Sequence, residues 1–228
     1  MGARGAIVGV VVVGVLAGGA VVVDRVLHAE AEQRIAGELQ DEIPGLATEP
    51  DVTVHGFPFL TQVLAGELGA VDVTAPEATV QDLVLEDVVV RLEQVSTSRP
   101  TTAGSARMTA YAPLDQLTAA LDLPLDLVIE GDRLVASTQL LGLPLEVLLV
   151  PTAGGDAVLV DVDGLRLAGA TVSASDLPSA LTEQLEGLEV PIDGLPEGLE
   201  LTDLTLDEGG AQLVAEGTDV VLTAEGAG

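Results

Sequence analysis

Apolar positions along this chain fall into three spacings, and each predicts a different kind of element. From Gly5 to Val23, GAIVGVVVVGVLAGGAVVV is uninterrupted and uncharged, with Arg4 ahead of it and Asp24 and Arg25 behind. About twenty apolar residues at a 1.5 Å rise cross the hydrocarbon layer of a bilayer. Residues 1–23 are therefore expected to be a transmembrane signal anchor or a signal peptide, the run being longer than a usual h-region. Arg4 on the short side favours that end remaining cytoplasmic, which places residues 24–228 at the cell membrane outside the cytoplasm, or secreted if the signal is cleaved. The second spacing is helical: in DRVLHAEAEQRIAGELQDEI, Leu27, Ala31, Ile35 and Leu39 recur four apart. No linker separates this helix from the run, so the two predict a nearly continuous rod ending at Pro44-Gly45. His28 on the rod is expected to face solvent.

The third spacing is the alternation of a half-buried strand. Val52 and Val54 alternate, Gly56 and Pro58 then bend the chain, and Phe59, Leu60, Val63 and Leu64 follow at helical spacing before alternation returns at Leu68 to Val73. Strand, corner, short helix, strand is the prediction, with GFPFLTQ as an apolar tip that plugs a core or lines a cavity. Val80 to Ser96 reads as a strand pair or one bent strand, with a change of parity near Glu86-Asp87 that predicts a bulge. Ser96 to Gly104 reads as a loop. Arg107 to Tyr111 reads as a short strand, and Pro113 as the first turn of a helix striped by Leu114, Leu117 and Leu121. Four strands between Leu125 and Leu167, broken at Gly131-Asp132, Gly142-Leu143-Pro144 and Gly154-Gly155-Asp156, predict a meander. A second helix is expected from Ser175-Asp176, with Leu177, Leu181, Leu185 and Leu188 as its stripe. Leu199 to Leu222 predicts two strands about Glu208-Gly209-Gly210. The two Leu-striped helices are each followed by Pro and a strand, so the chain reads as two related halves or as Leu-rich segments alike by chance.

Composition narrows what such a fold can do. Thirty-seven acidic residues against eight basic ones give a net charge of −29, which repels phosphate backbones and excludes nucleic acid as a partner. One Tyr, two Phe and no Trp leave no platform for stacked bases. Cysteine is absent, which removes disulfides, thiolate metal sites and a lipidated cysteine together. Yet 48% of residues are hydrophobic, mostly Val, Leu and Ala, so the acidity coats an aliphatic interior.

The usual signatures of chemistry are missing: no nucleophile elbow, phosphate loop, dinucleotide fingerprint or HExxH helix occurs. His28 and His55 have no local partners resembling a triad, and His55 is expected to be satisfied by a backbone carbonyl at a strand end. Asp161-Val162-Asp163-Gly164 resembles the start of a calcium loop, but Leu165 and Leu167 occupy the continuation, and Asp163-Gly164 reads as a turn. No metal, cofactor or catalytic residue is expected. A lipid site is what the composition supports, because a bound acyl chain needs a long aliphatic trough with few polar interruptions. A filled core of the same residues would look identical at this level.

The order of features, an apolar segment running into VVVDRVLHAEAEQRIAGEL, a strand entering GFPFLTQVLAGELGAVDV, then a meander with two short helices, resembles the LmeA-like family of actinobacterial phospholipid-binding envelope proteins over about residues 20 to 225. The resemblance implies an α+β fold akin to tubular lipid-binding domains, a curved antiparallel β-sheet wrapped around amphipathic helices and a lipid groove. It also implies a role at the outer face of the plasma membrane in handling envelope lipid or lipoglycan, with no catalytic residues to carry over. On that reading residues 1–23 are the anchor or signal and 24–228 the lipid-binding domain. Phe57, Phe59, Leu60 and Leu64 are expected at the groove, with the stripes Leu114, Leu117, Leu121 and Leu177, Leu181, Leu185 as its walls. The charge of −29 opposes approach to anionic lipids, an objection that tethering would overcome. The rivals are a scaffolding envelope domain with a filled core and an envelope glycolipid enzyme using carboxylates such as Asp161 and Asp163.

Overall fold

Alternation becomes burial first at β1 (Asp51–His55), whose Val52 and Val54 are buried between exposed neighbours. The computed structural model describes residues 3–43, 45–80, 83–120, 126–140, 142–167, 169–173, 188–192 and 195–222, with the backbone alone at 3–20, 42, 120, 140 and 188. Ahead of β1 stands α1 (Ala3–Glu42); after it come α2 (Phe59–Ala65), β2 (Glu67–Val80), β3 (Leu83–Ser96), β4 (Thr102–Pro113) and α3 (Leu114–Ala120). The chain continues through β5 (Asp126–Glu130), β6 (Arg133–Leu140), β7 (Leu143–Ala153), β8 (Ala157–Leu167), β9 (Ala170–Ser173), β10 (Leu188–Pro191), β11 (Leu199–Asp207) and β12 (Gly210–Val221).

These strands build two antiparallel six-stranded sheets, so the protein is mostly β, and the expectation of one curved sheet around amphipathic helices is corrected. The first sheet has the order β1-β2-β3-β4-β12-β11; the second runs β10-β8-β7-β6-β5, with β9 also on β8. Parity predicts which residues share a face but not which strand lies next to which, and the first sheet depends on the long-range pairing of β4 with β12. Two bonds join the sheets, Gly155 N–H to Leu201 O at 3.2 Å and Leu201 N–H to Gly155 O at 2.7 Å.

Paired residues of antiparallel strands share a face. One row crosses the whole first sheet as Val54, Val71, Leu92, Ala106, Gly217 and Leu199, and the row beside it is Val52, Val73, Val90, Met108, Ala215 and Leu201. Ala31, Ile35, Ala36 and Leu39 of α1 pack against this apolar face, and Leu117 of α3 packs on a second cluster around Ala75, Leu85, Val88 and Ala110. Burying a Val or Leu side chain is worth about 1.5–3 kcal/mol, so these rows hold the fold.

The nearly continuous rod, the corner, the bulge, the meander turns and the last hairpin lie where the pattern put them. At the bulge the β3–β4 register shifts between Glu86 and Val89, and Asp87 has φ 50°. β3 is one bent strand. Three boundaries move: β4 is longer than Arg107–Tyr111 and contains Pro113, the 96–104 loop shrinks to 97–101, and Asp163-Gly164 lies within β8 at a second register shift, opposite Leu148 and Leu149, instead of in a turn. The expected helix from Ser175-Asp176 lies outside the described residues, as do Leu121, Leu177, Leu181 and Leu185, but Leu188, expected on its stripe, instead opens β10 and pairs with Val160. The charge-free run forms the first half of α1; among the described residues no helix is long and apolar enough to cross a membrane.

Candidate functional site

Two regions stand out, the corner after β1 and one face of the second sheet. The corner is fastened to α1 by side chains four residues apart, which a helix stacks on one face. Asp24, 3% exposed, accepts the backbone N–H groups of Phe59 (3.1 Å) and Leu60 (2.8 Å). Helix α2 opens on Pro58, which offers no capping side chain, so Asp24 supplies the missing cap from 35 residues away. One turn along α1, His28 donates its Nε2–H to Val54 O (2.7 Å) and stacks on Phe59 with ring centroids 5.1 Å apart. A further turn on, Glu32 accepts Val54 N–H at 2.8 Å. Val54 lies on the edge strand, so Glu32 and His28 satisfy backbone groups that have no strand beyond them. His28 is thus 13% exposed in place of facing solvent, and Leu27 is 39% exposed, because α1 is turned to present its polar stripe to the corner.

Within the corner, Gly56 has φ +105°, and a Cβ there would stand 2.7 Å from the Gln62 amide. That amide donates to His55 O at 3.2 Å and accepts Gly69 N–H at 2.8 Å, tying β1 to β2. His55 binds the Asp72 carboxylate at 2.9 Å, not a backbone carbonyl. Arg91 grips the same carboxylate with two 2.9 Å bonds, and chiefly for that reason Asp72 titrates at about 2, against the weaker opposing effect of burial. Phe59 is buried in the first sheet's core, Leu60 is partly buried, and Phe57 and Leu64 are 57% and 86% exposed. The structure therefore separates the four corner residues: Phe59 anchors while Phe57 and Leu64 point to solvent. Arg25, His28, Glu32, His55 and Phe57 line a pocket of about 630 Å³ between α1 and β1.

The second sheet is organised differently. Across β5 to β8 one face carries Leu127 beside Ala136, Ile129 beside Leu134, Leu134 beside Leu149, Val147 beside Leu165, and Leu149 beside Val162. Pro151 and Val160 continue it, and Val190 pairs with Val158 at its edge. Apart from Thr138 opposite Leu145 this face is aliphatic, and Ala136 and Pro151 on it are buried. None of Leu127, Ile129, Leu134, Leu145, Val147, Leu149, Val158, Val160, Val162 and Leu165 is buried; all are partly exposed. The opposite face carries the charges: Arg166 lies between Glu130 (2.8 Å) and Glu146 (3.1 Å) and holds the Glu130 carboxyl below its usual range, while Arg133 meets Asp163 at 3.3 Å. Asp161 and Asp163 stand exposed on that side and are not gathered into a cleft.

Of the expected walls, Leu117 belongs to the core beneath α3, whereas Leu114 lines a pocket of about 550 Å³ with Thr118, Asp126 and Leu127. Leu127 is also the first residue of the aliphatic face, so Leu114 adjoins it. The sequence reading missed Asp24, Glu32 and Gln62. Their signal was present only for the first two, as acidic residues at the same spacing as His28 on one helix.

Among the described residues the fold thus sets a filled first sheet beside a second sheet whose aliphatic face is partly exposed. The chain belongs to the LmeA-like phospholipid-binding family, whose model matches residues 22–216. No curated protein and no solved structure matches it.

Proposed function

We propose that this protein is a membrane-anchored, extracytoplasmic phospholipid-binding protein that holds or transfers a lipid of the cell envelope, with the acyl chains lying on the aliphatic face of the β5–β8 sheet. The observation that carries this reading is that ten Leu, Ile and Val residues share one face and none is buried. Leaving such a surface in water is costly at roughly 25 cal/mol per Å², and an acyl chain regains about 0.8 kcal/mol for every methylene it buries there. Family membership supplies the class of ligand, a phospholipid. Leu114 and Leu127 form one rim of the trough, and kinship with tubular lipid-binding domains is part of this reading. The charge-free run of residues 5–23 is the anchor, and it keeps a domain of charge −29 near a surface that would otherwise repel it. No chemistry is assigned to the carboxylates on the opposite face, since the best placed of them are held by Arg166 and Arg133.

The test is native mass spectrometry of residues 24–228 prepared without detergent, since the packing of α1 on the domain begins at Asp24. One phospholipid per chain is expected. Protein that carries none and fails to take up a fluorescent phospholipid contradicts the proposal.

A further inference from the structure

The corner presents a second apolar surface that the lipid trough does not use. Among the described residues fifteen large hydrophobic side chains are exposed, and eight of them, Val21, Val22, Val23, Val26, Leu27, Phe57, Val63 and Leu64, gather where α1 leaves the domain. Asp24 fixes the height of the corner: by holding Phe59 and Leu60 it sets α2 against the last turn of the charge-free run. Gly56 to Gly66 contains no charged residue in a chain with 37 carboxylates, so the repulsion that the surface exerts on anionic lipid is weaker here. Arg25, 5.6 Å from the Phe57 ring centroid, like Arg99 has no carboxylate within ion-pairing distance among the described residues, whereas Arg34, Arg91, Arg107, Arg133 and Arg166 each hold one. A cation beside apolar Phe and Leu side chains at the end of an apolar helix suits the boundary between headgroups and acyl chains, the cation at the headgroups and the apolar groups just beneath them.

We propose that the Gly56–Gly66 corner is a membrane-interface wedge: Phe57, Val63 and Leu64 enter the boundary between headgroups and acyl chains beside α1, with the Arg25 guanidinium at the level of the lipid phosphates. The proposal rests on the reading that residues 5–23 insert into the bilayer, and it goes further by orienting the domain. A freely hinged anchor would leave the corner in water. The wedge instead sets the β1 edge of the first sheet on the membrane and the second sheet, attached at β11, away from it.

The chain has no cysteine, so single-cysteine variants carry one fluorophore each. Full-length Leu64→Cys, Val13→Cys and Val128→Cys are labelled with an environment-sensitive dye and reconstituted into phosphatidylcholine–phosphatidylglycerol vesicles. Each is then quenched by iodide in the water or by a spin label on the lipid near the carbonyls. Leu64 is 86% exposed and Val128 51%, so neither replacement disturbs the core. The dye at position 64 is expected to be quenched several-fold more by lipid than by iodide, and the dye at 128 the reverse. A dye at 64 that iodide reaches as freely as at 128, with the dye at 13 shielded, overturns the wedge and leaves the anchor standing. Both 13 and 64 open to iodide overturns the two together, whereas 64 shielded with 13 open supports docking through the corner itself.

Discussion

The two sheets have similar compositions and opposite fates. Of twenty-four buried hydrophobic residues among those described, eighteen lie on strands of the first sheet and four on the second. In the first, alternation is matched by partners: the rows from Val54 to Leu199 and from Val52 to Leu201 meet Ala31, Ile35 and Leu39, and the face is filled. In the second, Arg166, Glu130 and Glu146 share one side with the buried Val135 and Leu148, while Leu134, Val147, Leu149 and Val162 on the other side stay partly exposed. Ordering such a face costs conformational entropy, and among the described residues it is left partly exposed, where an apolar ligand can cover it.

Substitutions on the two sheets sharpen that comparison. Leu92→Ala in the first sheet is expected to cost about 3 kcal/mol and to lower Tm by ~9 °C, without loss of lipid from the folded fraction. Asp24→Ala, which leaves two amides at the start of α2 without an acceptor, is expected to cost about 2 kcal/mol and to speed hydrogen exchange at Phe59 and Leu60. Val147→Ser with Leu165→Ser, a cross-strand pair on the open face, is expected to cost at most ~1 kcal/mol in urea unfolding while lowering lipid per chain several-fold. A large loss of stability from this pair, with lipid unchanged, would make the second sheet an ordinary core.

The smallest effect is one of pH. Asp72 titrates at about 2, below its ordinary 3.8, so its bonds to Arg91 and His55 stabilise the fold above pH 3.8 and are lost as pH falls through 2. Thermal melts of Asp72→Asn are expected about 2 °C below the parent at neutral pH, with the gap closing between pH 3.8 and 2. A gap that stays constant across that window assigns the loss to packing instead of charge.

How far the pattern could be read follows from the range of the forces involved. Gly131, Gly142 and Gly155 adopt positive φ, a local requirement, and so the meander's turns were visible in the residues themselves. The bulge at Asp87 and the corner at Gly56 were visible for the same reason. The division into two sheets was not, because it depends on β12 reaching back to β4, more than a hundred residues away. His28 was misplaced because Leu27, Ala31, Ile35 and Leu39 define the apolar stripe of an isolated helix. The corner rotates that stripe by presenting Val54, Phe59 and Leu60 as partners for polar groups. The corner holds both phenylalanines of the chain, and burial divides them, Phe59 inside and Phe57 out. The second sheet's aliphatic face was the least legible, since a buried Val/Leu row and a partly exposed one are written in the same residues.

Crosslinking from the lipid itself addresses the central claim most directly. Full-length protein loaded with a phospholipid bearing a diazirine on its acyl chain is irradiated, and the modified peptides are mapped. Adducts are expected on β6, β7 and β8, between Arg133 and Leu167, concentrated at Val147, Leu149, Val162 and Leu165. Adducts confined to the first sheet, or none above those of an irradiated control lipid without the diazirine, would contradict the account.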